Sequence, residues 1–219
     1  VPGEVTRALF PKLSAGNEQD ARDATAQSLD LLLMIQTPMI CALILILKPF
    51  LGIWVGWTVA DKAGSVGLII AATIWLAGLN YFPSMLLQAR GRPDIAAKLR
   101  VLEVLPYLLV LWISIHYLGL IGGGIGLLFV TSLDMVFLFW GAKLALFRNW
   151  TFWQSLAWIL ISECLAWNFF RSDMIWYVAS LLLVVMSGGW AGYRSSVIRN
   201  VLRSFLDRIN IRMLKAVEK

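Results

Sequence analysis

Residues 80–126 read NYFPSMLLQARGRPDIAAKLRVLEVLPYLLVLWISIHYLGLIGGGIG. One apolar run closes at Leu86-Leu87, a short basic connector runs from Gln88 to Arg100, and a second apolar run reaches Leu118. The turn that opens the third run, residues 119–126, is glycine at five of its eight positions. This order predicts membrane helix, cytoplasmic loop, membrane helix, tight external turn and membrane helix. With the loop fixed on one side of a bilayer, the orientation of every other segment follows.

Composition agrees with that reading. Of 219 residues 59% are hydrophobic and 15% charged, and there are 11 tryptophans; mean hydropathy is +0.75. So few polar residues cannot cover the surface of a soluble domain, and the apolar blocks approach the ~20 residues a helix needs to cross a hydrocarbon core. The fold class expected is an all-α, polytopic helical membrane protein of about six transmembrane helices followed by a cytoplasmic amphipathic tail helix. The two cysteines, Cys41 and Cys164, fall inside expected spans and read as small core side chains rather than a disulfide framework.

Taken in order, the chain begins at Val1 without a signal segment, and Leu9-Phe10-Pro11 reads as the end of a helix whose body lies upstream. The expectation is the carboxy-terminal part of a longer transporter. Residues 12–28 are polar and of mixed charge. Four spans follow at about 29–47, 66–87, 101–118 and 120–142. Pro38 reads as a kink or a gating hinge in the first span, and 48–62, KPFLGIWVGWTVADK, has the composition of an interfacial re-entry region. Residues 148–193 hold two peripheral spans, about 153–170 and 174–193, joined as a hairpin by Arg171, Ser172 and Asp173. Residues 194–219 form the basic tail, whose Val197, Val201, Phe205, Ile209, Met213 and Val217 recur every fourth residue among arginines. Such a helix suits the anionic headgroups of an inner leaflet, or a packing partner.

Charge distribution tests the span count independently of hydropathy. With the amino-terminal segment inside, every lysine and arginine except Lys48, Lys62 and Arg171 lies in the cytoplasm, sixteen of the 19. That is the positive-inside pattern, and a missed span would scramble it. It places the protein in the cytoplasmic (inner) membrane as a multi-pass chain with both ends cytoplasmic. The high pI follows from this asymmetry and not from nucleic-acid binding.

The sequence also resembles a known family. The phrases ALFPKLSAG and ARDATAQ, the proline-bearing span ending at KPFLGIWVG, then LLQARGRPDIAAKLR and YLGLIGGGIGLLF, occur in the order found in polysaccharide-export flippases. These are the O-antigen and exopolysaccharide translocase branch of the multidrug/oligosaccharidyl-lipid/polysaccharide exporter superfamily. The resemblance covers about residues 8–147. It implies the second half of a 12 to 14-helix two-lobe transporter, the six spans corresponding to helices nine to fourteen of a fourteen-helix parent, with residues 1–147 part of the second transport lobe and the two spans of 148–193 peripheral to it. The implied cargo is a polyprenyl-pyrophosphate-linked oligosaccharide, moved by alternating access for surface polysaccharide (O-antigen or exopolysaccharide) biosynthesis. The other partners implied are the missing amino-terminal lobe, which carries most of the central cavity, and membrane lipids.

Candidate site residues are the polar groups at membrane depth. A central Asp or Lys costs about 2.5 to 3.5 kcal/mol in a membrane helix, so each needs a reason. Asp134 and Glu163 read either as coupling carboxylates facing a wet cavity or as bundle-facing groups paired with a neighbour. Asn80 is placed to bond across helices. Arg90, Arg92, Lys98 and Arg100 read as a site for a pyrophosphate or lipid headgroup, or as topology determinants alone. Asp30 and Glu103 read as helix-start carboxylates facing the positive end of the dipole, and His116 as a wetted residue near the outer mouth. No residue set predicts catalysis, a metal or a cofactor: metal-ligand spacing, a nucleophile elbow and a phosphate loop are all missing from the sequence. The alternatives are a cation-coupled multidrug exporter of the same superfamily, a membrane-embedded glycosyltransferase or polymerase, and a non-transporting scaffold of a polysaccharide assembly complex.

Overall fold

The computed structural model describes residues 18–168 and 174–195. The Phe10-Pro11 helix end, the connection at 171–173 and the basic tail beyond Ser195 lie outside the described residues. Everything described is helical apart from short connections: α1 (Glu18–Trp54), α2 (Trp57–Ala89), α3 (Pro93–Leu118), α4 (Leu120–Gly141), a single 3₁₀ turn (Leu146–Arg148), α5 (Trp150–Asn168) and α6 (Met174–Arg194). α1, α2, α3, α4 and α6 are long and apolar enough to cross a membrane. The chain is a multi-pass helical membrane protein. The expected count of six spans meets its exception in α5. That helix forms with 19 residues, but Thr151, Gln154, Ser155, Ser162 and Glu163 dilute its apolar character and it does not join the five.

Helix ends follow local chemistry. α3 starts at Pro93, whose missing N–H costs nothing at a first helical position, and Asp94 occupies its first turn. The preceding Gly91 sits at φ +66°, a left-handed conformation that only glycine adopts without penalty. At the far end Gly119, at φ +57°, stops α3 and starts α4 with no intervening loop. Two expected boundaries are corrected. Residues 48–62 are not a re-entry region: α1 continues to Trp54 and α2 resumes at Trp57, with only a turn at 55–56 between them. α1, at 37 residues, is about 55 Å long, so the polar residues from Glu18 onward extend the first span as helix.

α1 is the shared partner. It packs against α2 on one side and against both α5 and α6 on another, while α5 and α6 touch each other only slightly. α2 carries α4, and α4 carries α3. A tryptophan marks the seam between the two groups: Trp75 of α2 stacks on Phe152 of α5 at 5.9 Å, and its indole N–H donates to Thr37 Oγ1 of α1 at 3.2 Å. The adjacent Gln36 of α1 donates from Nε2 to the carbonyls of Ile74 (3.2 Å) and Trp75 (3.4 Å). It fits because Gly78 has no Cβ; a methyl group there would run into the Gln36 amide. Cys41 is buried in the α1 core, whereas Cys164, expected there too, is exposed.

The glycine-dense turn closes the α3–α4 hairpin as expected of small residues at a helix interface. A Cβ on Gly122 would overlap the backbone carbonyl of Ser114, and one on Gly126 would lie 2.8 Å from Leu111 Cδ1. α3 has little else to lean on. In its membrane-spanning stretch only 6% of residues are buried, against 50% in α1 and 44% in α2.

Candidate functional site

The polar residues at membrane depth converge on the seam between α2, α4 and α3. Asn80 lies nine residues before the end of α2 and Asp134 seven before the end of α4, so each is about 10–14 Å from the end that adjoins the 90–92 connection. Glu103 lies ten residues into α3, at about 15 Å from the same end. Three helices thus bring polar groups to one depth.

Asn80 is almost fully buried, 6% exposed. Its side-chain amide donates to Asp134 Oδ2 at 3.1 Å and to the Thr131 carbonyl at 3.3 Å. That bond across helices is what the sequence places at Asn80, with its partner now identified. Asp134 is half-buried, and its second oxygen, Oδ1, is shielded without accepting a hydrogen bond; so is Asn80 Oδ1. Thr131 turns its hydroxyl back to the Leu127 carbonyl at 2.9 Å, which leaves its own carbonyl for Asn80.

Glu103 is the correction that matters most. It is not a helix-start carboxylate, because α3 begins at Pro93; it is 4% exposed and its Oε1 accepts no hydrogen bond. It lines a cavity of about 260 Å³ together with Arg100, Val104 and Tyr107 of α3 and Val130, Thr131 and Asp134 of α4. Glu103 and Asp134 repel each other there, while Arg100 attracts both. Burial of a carboxylate away from water is costly unless something compensates it, and one arginine can balance only one of the two carboxylates when both are ionised. The cavity's volume is more than tenfold the ~15 Å³ a water requires.

The remaining candidates are not gathered there. Of the basic cluster, only Arg100 reaches the cavity. Arg92 is exposed at the start of α3 and Arg90 is half-buried in the turn before it. Lys98 is exposed and pairs at 3.6 Å with Asp94 one turn away. Glu163 sits on the far side of α1, half-buried, beside Cys41, with Oε1 shielded and accepting no hydrogen bond. Asp30 is a second correction. It lies twelve residues inside α1 and accepts from Asn149 Nδ2 at 2.5 Å. Asn149 Oδ1 in turn accepts from the Thr151 N–H at 2.9 Å, capping the start of α5. His116 is exposed and stacks on Trp112 at 6.0 Å.

Glu103, Asp134 and Arg100 thus share one pocket between α3 and α4. The chain is similar to an O-antigen transporter. Over 143 residues it is 28% identical to a Shigella flexneri protein named "Putative O-antigen transporter", an alignment that takes in 64% of this chain and 34% of that protein. The chain spans about a third of the length of this relative. No family model matches the chain, and no solved structure matches it. The similarity agrees with the flippase resemblance carried by the sequence phrases.

Proposed function

We propose that the chain works in the translocation of a polyprenyl-pyrophosphate-linked oligosaccharide from the inner to the outer leaflet of the cytoplasmic membrane, as part of a two-lobe transporter serving surface polysaccharide assembly. The observation that carries this is the similarity to the Shigella flexneri protein over 143 residues, on a chain whose helices meet around a charged cavity. In this reading the 90–92 connection is cytoplasmic, as the positive-inside pattern requires. Arg90 and Arg92 then stand where a pyrophosphate headgroup arrives, and the cavity lies about one-third to one-half of the way across. Asp134, held by Asn80, and Glu163 are the carboxylates whose protonation or pairing changes between states. Lys98, already paired with Asp94 on the surface, has a lesser part, since such exposed pairs contribute little.

The two carboxyl groups of the cavity, set against one arginine, favour one second reading, an exporter of cationic drugs within the same superfamily. One experiment separates them. Expressed in a host deleted for the parent protein, the wild type restores surface polysaccharide, and Asp134→Asn leaves lipid-linked oligosaccharide on the cytoplasmic leaflet at normal expression. If the deletion host never accumulates that precursor, the cargo is something else. Lowered resistance to cationic drugs in the same host then favours the exporter.

A further inference from the structure

α3 is fastened to α4 near both ends and stands off it in between. Toward the outer turn the backbones approach closely, since a Cβ on Gly122 would overlap the Ser114 carbonyl and one on Gly126 would press on Leu111. Toward the 90–92 connection a Cβ on Gly141 would lie 3.3 Å from Ile95 Cγ2, and Ala96 is buried in a cluster with Leu87 of α2 and with Leu138 and Ala142 of α4. Between these fastenings the row that starts at Gly122 and Gly126 continues, four residues apart, with the larger Val130 and Asp134. There the cavity of about 260 Å³ opens along α3 from Arg100 to Tyr107.

Pro106 falls inside the lifted stretch. Its missing N–H leaves the Leu102 carbonyl without a helical partner and its ring crowds that carbonyl, so the helix yields there. Two residues are about half a turn, which sets Pro106 opposite Val104 of the cavity wall; a helix opened on the Pro106 side is concave toward the cavity. The same stretch carries charge. Arg100 is exposed and close enough to attract Asp134, yet forms no ion pair with it among the described residues. That attraction draws the middle of α3 onto α4, while the proline and the repulsion between Glu103 and Asp134 hold it off. Opposed effects acting on a stretch secured only at its ends make an element with two discrete arrangements. We propose that α3 is a strap with two positions, lifted as described and laid down on α4, the second closing the cavity and joining Arg100 to Asp134 as an ion pair. Asn80, which bonds Asp134 to α2, is the positioning residue that fixes the catch on which Arg100 closes. The inference concerns the movement of α3 and is independent of the cargo.

The test is a distance measurement by pulsed electron spin resonance on the protein in lipid nanodiscs, with Cys41 and Cys164 replaced by serine and spin labels on pairs of introduced cysteines. Labels at Leu105, in the lifted stretch, and at Leu160 of α5 report the strap, and labels at Tyr117 and Leu160 report its outer fastening; all three positions are exposed and outside the cavity wall. Two Leu105–Leu160 distances and a single Tyr117–Leu160 distance are expected. Arg100→Gln and Asp134→Asn each shift the ratio of the two populations toward the lifted one by about two- to fivefold, the order of effect of a partly exposed ion pair. Arg100→Lys, which keeps the charge, shifts it less, and Pro106→Ala shifts it the opposite way. A single Leu105–Leu160 distance without any of these substitutions overturns the strap, so a variant that fails to fold does not block the decision. Two Tyr117–Leu160 distances that change together with those of Leu105 show the whole helix moving and overturn it too. Two populations whose ratio ignores both charge variants overturn the role of Arg100. Two populations in a protein that fails to restore surface polysaccharide remove the flippase reading alone, and one population in a protein that restores it removes the strap alone.

Discussion

Removing the Asn80 amide isolates the interaction that joins α2 to α4 at membrane depth. The donor serves two acceptors, Asp134 Oδ2 at 3.1 Å and the Thr131 carbonyl at 3.3 Å. Hydrogen bonds to charged groups contribute about 1.5–3 kcal/mol in soluble proteins, whereas bonds between membrane helices average ~0.6 and reach ~1.7 kcal/mol because unfolded helices in the membrane also find partners. Asp134 borders an open cavity, which lowers the value, while its carboxylate form is a stronger acceptor, which raises it. The coupling between Asn80→Ala and Asp134→Ala in a double-mutant cycle should therefore be about 1–1.5 kcal/mol. The single Asn80→Ala variant loses more, about 2–3 kcal/mol, because the Thr131 bond and the packing of a fully buried amide go with it. Reversible unfolding in mixed micelles, followed by tryptophan fluorescence, measures all four members of the cycle. A coupling under ~0.3 kcal/mol, the level at which independent sites add, refutes the bond and with it the account of how Asp134 is held.

Three further outcomes follow from the packing. Gly122→Val forces α3 away from α4, because a branched side chain cannot occupy the space taken by the Ser114 carbonyl; a loss of about 1–3 kcal/mol or more is expected in the same unfolding assay, together with lower yield of a cysteine crosslink between the two helices. Gly78→Ala expels the Gln36 amide from its two carbonyls and costs about 1–3 kcal/mol, while Gly78→Ala combined with Gln36→Ala recovers most of it. Asn149→Ala removes both the cap of α5 and the partner of Asp30, so it should lower stability by about 1–2 kcal/mol. It should also raise hydrogen exchange in the first turn of α5, and unchanged exchange there contradicts the capping role.

Hydrophobic block length made the helices readable, and the positions of Gly91, Pro93 and Gly119 made their breaks readable. What stayed hidden was anything set by tertiary partners. Asn80 and Asp134 are 54 residues apart, so no local pattern links them. Glu103 was misplaced because the apolar run starts at Val101, whereas the helix starts where Pro93 and Asp94 allow it. That signal was present in GRPD and was outweighed by hydropathy. Hydropathy likewise misplaced the ends of α1 and α2, since helix continues past the hydrocarbon wherever neighbouring helices support it. Asp30 read as a helix start for the same reason, and its pairing with Asn149, 119 residues on, has no sequence signature. α5 reads as a span from its apolar run; its buried face, Thr151, Phe152, Ser155, Ile159, Ser162 and Ala166, mixes small polar with apolar side chains, as suits a neighbouring helix.

α1 carries prolines at positions 38 and 49, and each deprives its helix of one backbone hydrogen bond four residues back, at Met34 and Leu45. Between them lies Cys41, against Ser162 of α5 and Ser187 of α6. The middle of α1, from position 38 to 49, thus has a mechanically soft point at each end, like a shaft with two joints. Bending at those points costs less than bending elsewhere. A bend at either joint re-aims one end of α1 relative to the other, so the helix that α2, α5 and α6 share is also the one whose course is easiest to change.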